Sequence, residues 1–324
     1  MRRNFMELLK QRWAESKFVC VGLDPVEEKI PDIWVHVSGE PVPSCAHLMN
    51  FDQAIMDATA EYICAIKPNI AFFEAMGRSE GMYALRDAIA YSQGEHPELA
   101  VILDAKRGDI GTTNEAYAKS IFDDYGADAV TIHPYLGEEA NKPFLERSDK
   151  GIIVLCKTSN KGAGEFQDRL TYLSYDELAE LTDDNPLPKG FEDHWTAHVV
   201  TYDKTKAPGY LIPLYQLVAL RVSRAWNKHG NCCVVVGATY PDELKIVRQI
   251  VGDDMPILVP GIGKQGGDLA ATVKNGMTKQ GGLMINSSSG IIFASDGPDF
   301  AEAAHRETLK LHEAITDLRK EMTQ

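Results

Sequence analysis

Several signatures of common function classes are missing from this chain. Its six cysteines, Cys20, Cys45, Cys64, Cys156, Cys232 and Cys233, lie mostly inside apolar runs and never in CxxC spacing. Buried thiols are therefore expected, not disulfides or a zinc site. The nine histidines form no HxH or HExxH pattern, no Walker loop occurs, and the one GxSxG spelling, GRSEG, does not directly follow any strand-like apolar run as a nucleophile elbow must. The usual sequence cues for a metal site, a serine hydrolase or a P-loop nucleotidase are thus absent. Positive charge is also scarce, with 33 Lys and Arg against 47 Asp and Glu and a net charge of -14. A nucleic-acid surface needs a Lys/Arg excess on at least one face, so no nucleic-acid partner is expected. The opening MRRNFMELLKQRW is basic but has no apolar core of signal-peptide length, and no later segment approaches ~18 unbroken apolar residues. The expectation is a cytoplasmic protein with no membrane partner.

What the chain does contain is apolar sequence in short, regular pieces. At 324 residues and 44% apolar composition it can bury a sizeable core. Eight apolar runs end in polar or glycine-rich clusters: FVCVGLD, CAIKPN, LAVILDAK, ADAVTIHP, GIIVLCKTS, CCVVVGAT, PILVPGIG and GLMINSSS. Stretches of helical periodicity separate most of them, and helices are expected over 46–62, 78–93, 113–125, 213–228, 241–251 and 298–320. Continuous apolar strands alternating with helices indicate a parallel sheet covered on both faces. Eight such units fit an α/β fold of the (β/α)8 TIM-barrel type better than an open doubly wound sheet. The fifth and sixth runs begin at Gly151 and Cys232, much farther apart than the ~30 residues a βα unit needs. One TIM-barrel domain over 1–324 is expected, with 162–209 forming an inserted subdomain or lid between the fifth and sixth strands.

In such a barrel the chemistry sits where strands end at the C-terminal face. LDAKRGDIGTT closes the third run with Asp104, Lys106, Arg107 and Asp109, while Lys67 closes the second run and Asp24 the first. Residues two apart on a strand share a face, so Asp104 and Lys106 should point together. One Asp/Lys pair can simply close a strand end. Two lysines and two or three acids on one rim are costly to bury unless they pair or hold a ligand. An alternating Lys, Asp, Lys, Asp array keeps each member ionised and offers an ammonium as proton donor.

Further along, PGIGKQGGD (260–268) supplies glycines whose amides can wrap an anion before a helix, with Gln265 as an added donor, although such a loop can also be only a turn. NSSSG (286–290) ends the eighth run and serves either a phosphate or a helix cap. Thr158 and Ser159 in CKTSNKGAG can hydrogen-bond a heterocycle edge or simply start a loop. His133 reads as a supporting residue, Arg107 as packing or an interface residue, and His194, Trp195 and His198 as the local core of the insertion.

The DxKxxD pattern at Asp104, Lys106 and Asp109, with Lys67, KTSNKGAG and PGIGKQGGD in this order, resembles orotidine 5'-phosphate decarboxylase. LDAKRGDIGTT and the NSSxGIIxAS ending resemble the larger bacterial branch of that family. The resemblance implies a cofactor-independent decarboxylation of orotidine 5'-monophosphate to UMP, the last step of pyrimidine nucleotide synthesis. It implies that Lys106 protonates the pyrimidine C6 carbanion, that Asp104 lies against the substrate carboxylate, and that Lys67 bridges ribose and acid. Asp109 and Thr113 would reach the partner's site in a homodimer. Asp24 would bind ribose, Ser159 the pyrimidine edge, and Gln265 and Gly266 the phosphate. No metal or other cofactor is implied. The chain departs from the family pattern NSSRG at Ser289, where a charge-assisted bond worth about 1.5 to 3 kcal/mol would be lost. Weaker phosphate binding, a substitute cation from Lys161, Lys204 or Lys206, or a shifted substrate each fit that change. Two alternatives are a magnesium-dependent sugar-phosphate decarboxylase of the same superfamily and a non-catalytic phosphate-binding relative.

Overall fold

The computed structural model describes residues 3–31, 44–77, 79–202, 205–262 and 266–323. All eight apolar runs become strands of one closed parallel barrel. In chain order the first five are β1 (Val19–Leu23), β2 (Ile63–Pro68), β3 (Ala100–Arg107), β4 (Ala129–Ile132) and β5 (Gly151–Lys157). Between β5 and the rest come β6 (Leu170–Ser174), β7 (Thr196–Tyr202) and β8 (Thr205–Pro213), followed by β9 (Cys232–Val236), β10 (Ile257–Pro260) and β11 (Leu283–Ser287). The barrel closes in the order β1-β11-β10-β9-β5-β4-β3-β2, so the doubly wound alternative is excluded. Strands β1, β2, β4, β9 and β11 are buried at every residue, which is why their sequences are continuously apolar instead of alternating.

Helices cover the outside. Those at Ser44–Thr59, Glu80–Glu95, Pro241–Val251 and Phe300–Thr323 fall where periodicity predicts them. The expected helices over 113–125 and 213–228 each divide: Gly111–Ala118 passes into a π-helical turn at Lys119–Asp124, and Leu214–Arg221 into another at Val222–Trp226. Helices at Phe5–Ala14, Ile70–Ala75 and Gly137–Leu145 lie outside the predicted set. All six cysteines are free thiols, and only Cys45 is partly exposed.

Strands β6, β8 and β7 form a separate antiparallel sheet in that order. Its last strand runs to Pro213, beyond residue 209, and pairs Leu170 with Pro213 at the end nearest the barrel. Leu173, Phe191, Trp195 and Ile212 form its buried side. His194 is exposed, with its ring edge-on to Phe191 at 5.5 Å, because it ends a 3-10 turn where only Phe191 faces inward. Its assignment to the local core is therefore corrected, and the side chain of His198 lies outside the described residues.

The bottom of the barrel is held by buried arginines. Arg248 donates from Nε to Gly276 O, from Nη1 to Gly252 O and Met255 O, and from Nη2 to Gly282 O, at 2.7 to 2.9 Å. This single guanidinium satisfies the carbonyls that lead into β10 and β11, and burial pushes its pKa down to about 10. Arg248→Met should leave those acceptors without a donor and lower stability by about 3 kcal/mol or more. Urea unfolding checks this through the midpoint at unchanged slope; a loss under about 1 kcal/mol would contradict it.

Candidate active site

The C-terminal mouth of the barrel opens into a cavity of about 480 Å³. Lys67 from the end of β2 and Lys106 from the end of β3 converge on the same carboxylate: Lys67 Nζ is 3.0 Å from Asp104 Oδ2, and Lys106 Nζ is 2.7 Å from Oδ1. Thr131 on β4 donates its hydroxyl to Asp104 Oδ1 at 2.8 Å. The same Oγ accepts the backbone N–H of Lys106 at 2.9 Å. Both oxygens of Asp104 are thus occupied from three neighbouring strand ends.

Asp104 and Lys106 do share a direction, but not through regular alternation. The pairing of β3 with β4 jumps from Leu103↔Val130 to Arg107↔Ile132, so the strand bulges across these residues. Lys106 adopts φ +46°, the left-handed region that non-glycine residues rarely occupy. Such strain persists only where surrounding contacts impose it, and here the Thr131 bond and the Asp104 pair do so. Past the bulge Arg107 turns outward, its guanidinium 4.9 Å over the Tyr117 ring and 3.5 Å from Glu74.

Burial alone would raise the Asp104 pKa, but attraction to Lys67 and Lys106 outweighs it and holds the carboxyl below the usual carboxylate range. For Lys67, burial alone would favour loss of the proton. The charges of Asp104 and Asp24 reverse that and hold the ammonium above the usual lysine range. Lys67 is buried, whereas the Lys106 side chain remains 51% exposed toward the cavity mouth. The cluster is therefore an ionised array in which one lysine is fixed and the other remains accessible to a ligand.

Among the described residues, three buried oxygens at this cavity have no hydrogen-bond partner: Asp24 Oδ1, Asn286 Oδ1 and Ser288 Oγ. Two are pure acceptors, so the group that satisfies them must donate, as sugar hydroxyls do. Ser288 approaches β1 so closely that a Cβ at Gly22 would lie 2.7 Å from its Cβ, and only glycine fits there. Ser159 and Ser289 line the same cavity, together with Thr158, Asn160 and Gln167. Ser159 is pressed against β9, where a Cβ on Gly237 would stand 2.7 Å from its Cα.

The two residues expected to reach a partner's site lie away from this chain's own cavity. Asp109 and Thr113 are half-buried on the loop and helix after β3 and do not line it. Asp109 exchanges backbone bonds with the Asn114 amide at 2.9 and 2.6 Å, and Asn114 also donates to Ala140 O at 2.7 Å. His133 supports the same loop, with Nε2 2.9 Å from Gly108 O. Gly266 is exposed with φ +78°, and Gly267 N donates to Gly261 O at 3.1 Å, closing the loop on itself. Gln265 lies outside the described residues. Of the candidate substitute cations, Lys161 is exposed and not on the cavity wall; Lys204 and the Lys206 side chain lie outside the described residues.

Sequence reasoning missed Asn286, Gln167 and Lys157. Asn286 was visible only as part of a serine-rich motif. Lys157 ends an apolar run, yet its side chain is wholly buried, 2.5 Å from Asp168 and 4.3 Å from the centroid of Tyr240.

Fold and site define a (β/α)8-barrel protein whose cavity presents an ionised lysine–carboxylate cluster beside acceptor groups suited to a hydroxylated ligand. A sequence model of the "Orotidine 5'-phosphate decarboxylase / HUMPS family" matches residues 17–191. An orotidine 5'-phosphate decarboxylase of Cellvibrio japonicus is 41% identical over 314 residues, covering 96% of this chain and 98% of that protein. One of Ralstonia pickettii is 41% identical over 317 residues, with 97% and 99% covered. The solved Leishmania donovani OMP decarboxylase superposes with TM-score 0.68 at 33% identity, over 95% of this chain and 98% of that one. The chain belongs to the orotidine 5'-phosphate decarboxylase / HUMPS family.

The charge state of the cluster has a testable sign. A carboxyl with a depressed folded pKa stabilises the fold above its unfolded value, about 3.9, and loses that contribution as pH falls toward the folded value. The stability difference between wild type and Asp104→Asn should therefore be widest near neutral pH and shrink below about pH 4. Urea midpoints measured across that range check it; a constant difference would refute the linkage.

Proposed function

We propose that this protein is an orotidine 5'-monophosphate decarboxylase that releases CO2 and forms UMP, the last step of de novo pyrimidine nucleotide synthesis. The observation that carries this reading is the convergence of Lys67 and Lys106 on Asp104 at the cavity mouth. In the reaction the bond from pyrimidine C6 to the carboxylate carbon breaks, and its electron pair stays on C6. No cofactor is needed to hold that charge if a preorganised ammonium stands beside it. Lys106 fits this role because it is charged, partly accessible and fixed by its backbone bond to Thr131. It then gives a proton to C6 and is recharged from solvent. Asp104 lies against the departing carboxylate, and Lys67 keeps Asp104 ionised.

The remaining contacts follow from donor and acceptor chemistry. Asp24 and Asn286 offer unpartnered acceptors to ribose hydroxyls. Ser159 meets the pyrimidine edge, while Ser289, Gly266 and Gln265 hold the phosphate with neutral donors. Asp109 and Thr113 serve the neighbouring subunit of a homodimer. Their place outside their own cavity supports this, as do the exposed Ile110, Tyr135 and Leu136 beside the same loop. The inserted segment over 162–209 acts as a wall beside the mouth, and the protein works in the cytoplasm.

Following loss of orotidine 5'-monophosphate by absorbance tests these assignments. Lys106→Ala should lower kcat by about 100-fold or more. Ser289→Arg should lower KM by about tenfold or more through a charge-assisted phosphate bond. EDTA should leave turnover unchanged, whereas loss of activity would favour a magnesium-dependent sugar-phosphate decarboxylase. Absence of turnover at millimolar substrate would overturn the reading.

A further inference from the structure

The segment just after β5 forms a second wall of the cavity, of which the chemistry above uses only Ser159. Gln167 accepts the Thr158 N–H at Oε1 (2.9 Å) and donates from Nε2 to Thr158 Oγ1 at 2.9 Å. Thr158 commits its hydroxyl proton to Asn160 Oδ1 at 2.7 Å. These partners fix the amide orientation, because a backbone N–H can face only the oxygen. One N–H of Nε2 has no partner among the described residues, on a side chain that lines the cavity.

The next residue is tied down from below. Asp168 pairs with Lys157 Nζ at 2.5 Å, and that ammonium lies 4.3 Å from the Tyr240 centroid and 5.7 Å from that of Tyr215. The Lys157 side chain is fully buried, while Asp168 is 49% exposed. The carbonyl of Lys157 also accepts Gly237 N at 2.7 Å. A buried ammonium held by two rings and one carboxylate is an anchor with a defined position. It fixes the chain at Asp168, one residue from the free amide proton of Gln167.

We propose that Gln167 is a further specificity-determining residue, donating its remaining amide N–H to a carbonyl oxygen of the ligand's pyrimidine, and that the Lys157–Asp168 pair is the positioning device that holds it there. The base is favoured over the sugar or phosphate because Gln167 is bonded to Thr158 beside Ser159 at the end of β5, which stands across the barrel from β1 and three strands from β11, the strands at whose ends lie the unpartnered acceptors Asp24 and Asn286. The proposal rests on the decarboxylase reading, which the turnover of wild-type protein tests separately.

Gln167→Glu provides the discriminating variant. A carboxylate still accepts the Thr158 N–H, and the threonine hydroxyl can turn to donate to it, so the loop stays closed while the donor toward the ligand is lost. Calorimetric binding of UMP should weaken about tenfold. Ribose 5-phosphate, which has no base, should bind within about twofold of wild type, and Tm should be unchanged. Equal weakening of both ligands, or unaltered UMP binding, would overturn the assignment. Lys157→Met should raise KM for orotidine 5'-monophosphate with little loss of Tm, because the Asp168 carboxylate left behind is half exposed and can be solvated. Lys157→Arg should restore KM in part. An unchanged KM in Lys157→Met would remove the positioning role.

Discussion

The site depends on one shared carboxylate. Asp104 neutralises Lys67, whose burial alone would favour the neutral amine, and at the same time aims Lys106 across the cavity mouth. Removing one charge from such a group leaves another uncompensated in a poorly solvated place, which is costly. The three side chains therefore behave as a unit whose geometry and ionisation cannot be changed separately. Thr131 completes the unit by bonding both the carboxylate and the backbone of Lys106. That link makes the fourth strand a partner in positioning the third.

The bulge in β3 follows from the same demand. A regular strand would bring Asp104 and Lys106 to one face, but the observed close approach requires the chain to leave its ladder and Lys106 to take a left-handed backbone. Strained backbone of this sort is tolerated where neighbours over-determine it. The consequence extends outward. Beyond the bulge the chain points Arg107 at Tyr117 and carries Asp109 onto a loop braced by Asn114 and His133.

Legibility in the sequence followed burial. Parallel barrel strands are covered on both faces, so VCVGL, the AVIL of β3 and CCVVV stand out as unbroken apolar runs, and the charges after the first two, Asp24 and the DAKR end of β3, mark the mouth. The inserted sheet was seen only as an anomalous interval because LTYLS has one fully buried residue and four that are partly or fully exposed. At the site, Asp104, Lys106 and Lys67 were legible as a repeated residue type at successive strand ends. Their approach was inferred from alternation, and the bulge that produces it leaves no mark in a period-two pattern. Asn286 was hidden for a different reason. Its importance lies in a missing partner, which depends on neighbours distant in sequence.

Lys157 illustrates the same limit most sharply. As the last residue of GIIVLCK it reads as a solvated strand end, the ordinary place for a lysine. Its burial is created by Tyr240 after β9, Tyr215 on the helix after β8, and Asp168 from the inserted segment. Those three residues meet only after the barrel has closed and the insertion has folded back. A charge that needs three distant elements to be tolerated also links them. The inserted segment is consequently joined to β5 through a residue of the barrel wall, not merely packed beside the mouth. Any shift of that segment would have to carry the Thr158–Gln167 edge of the cavity with it.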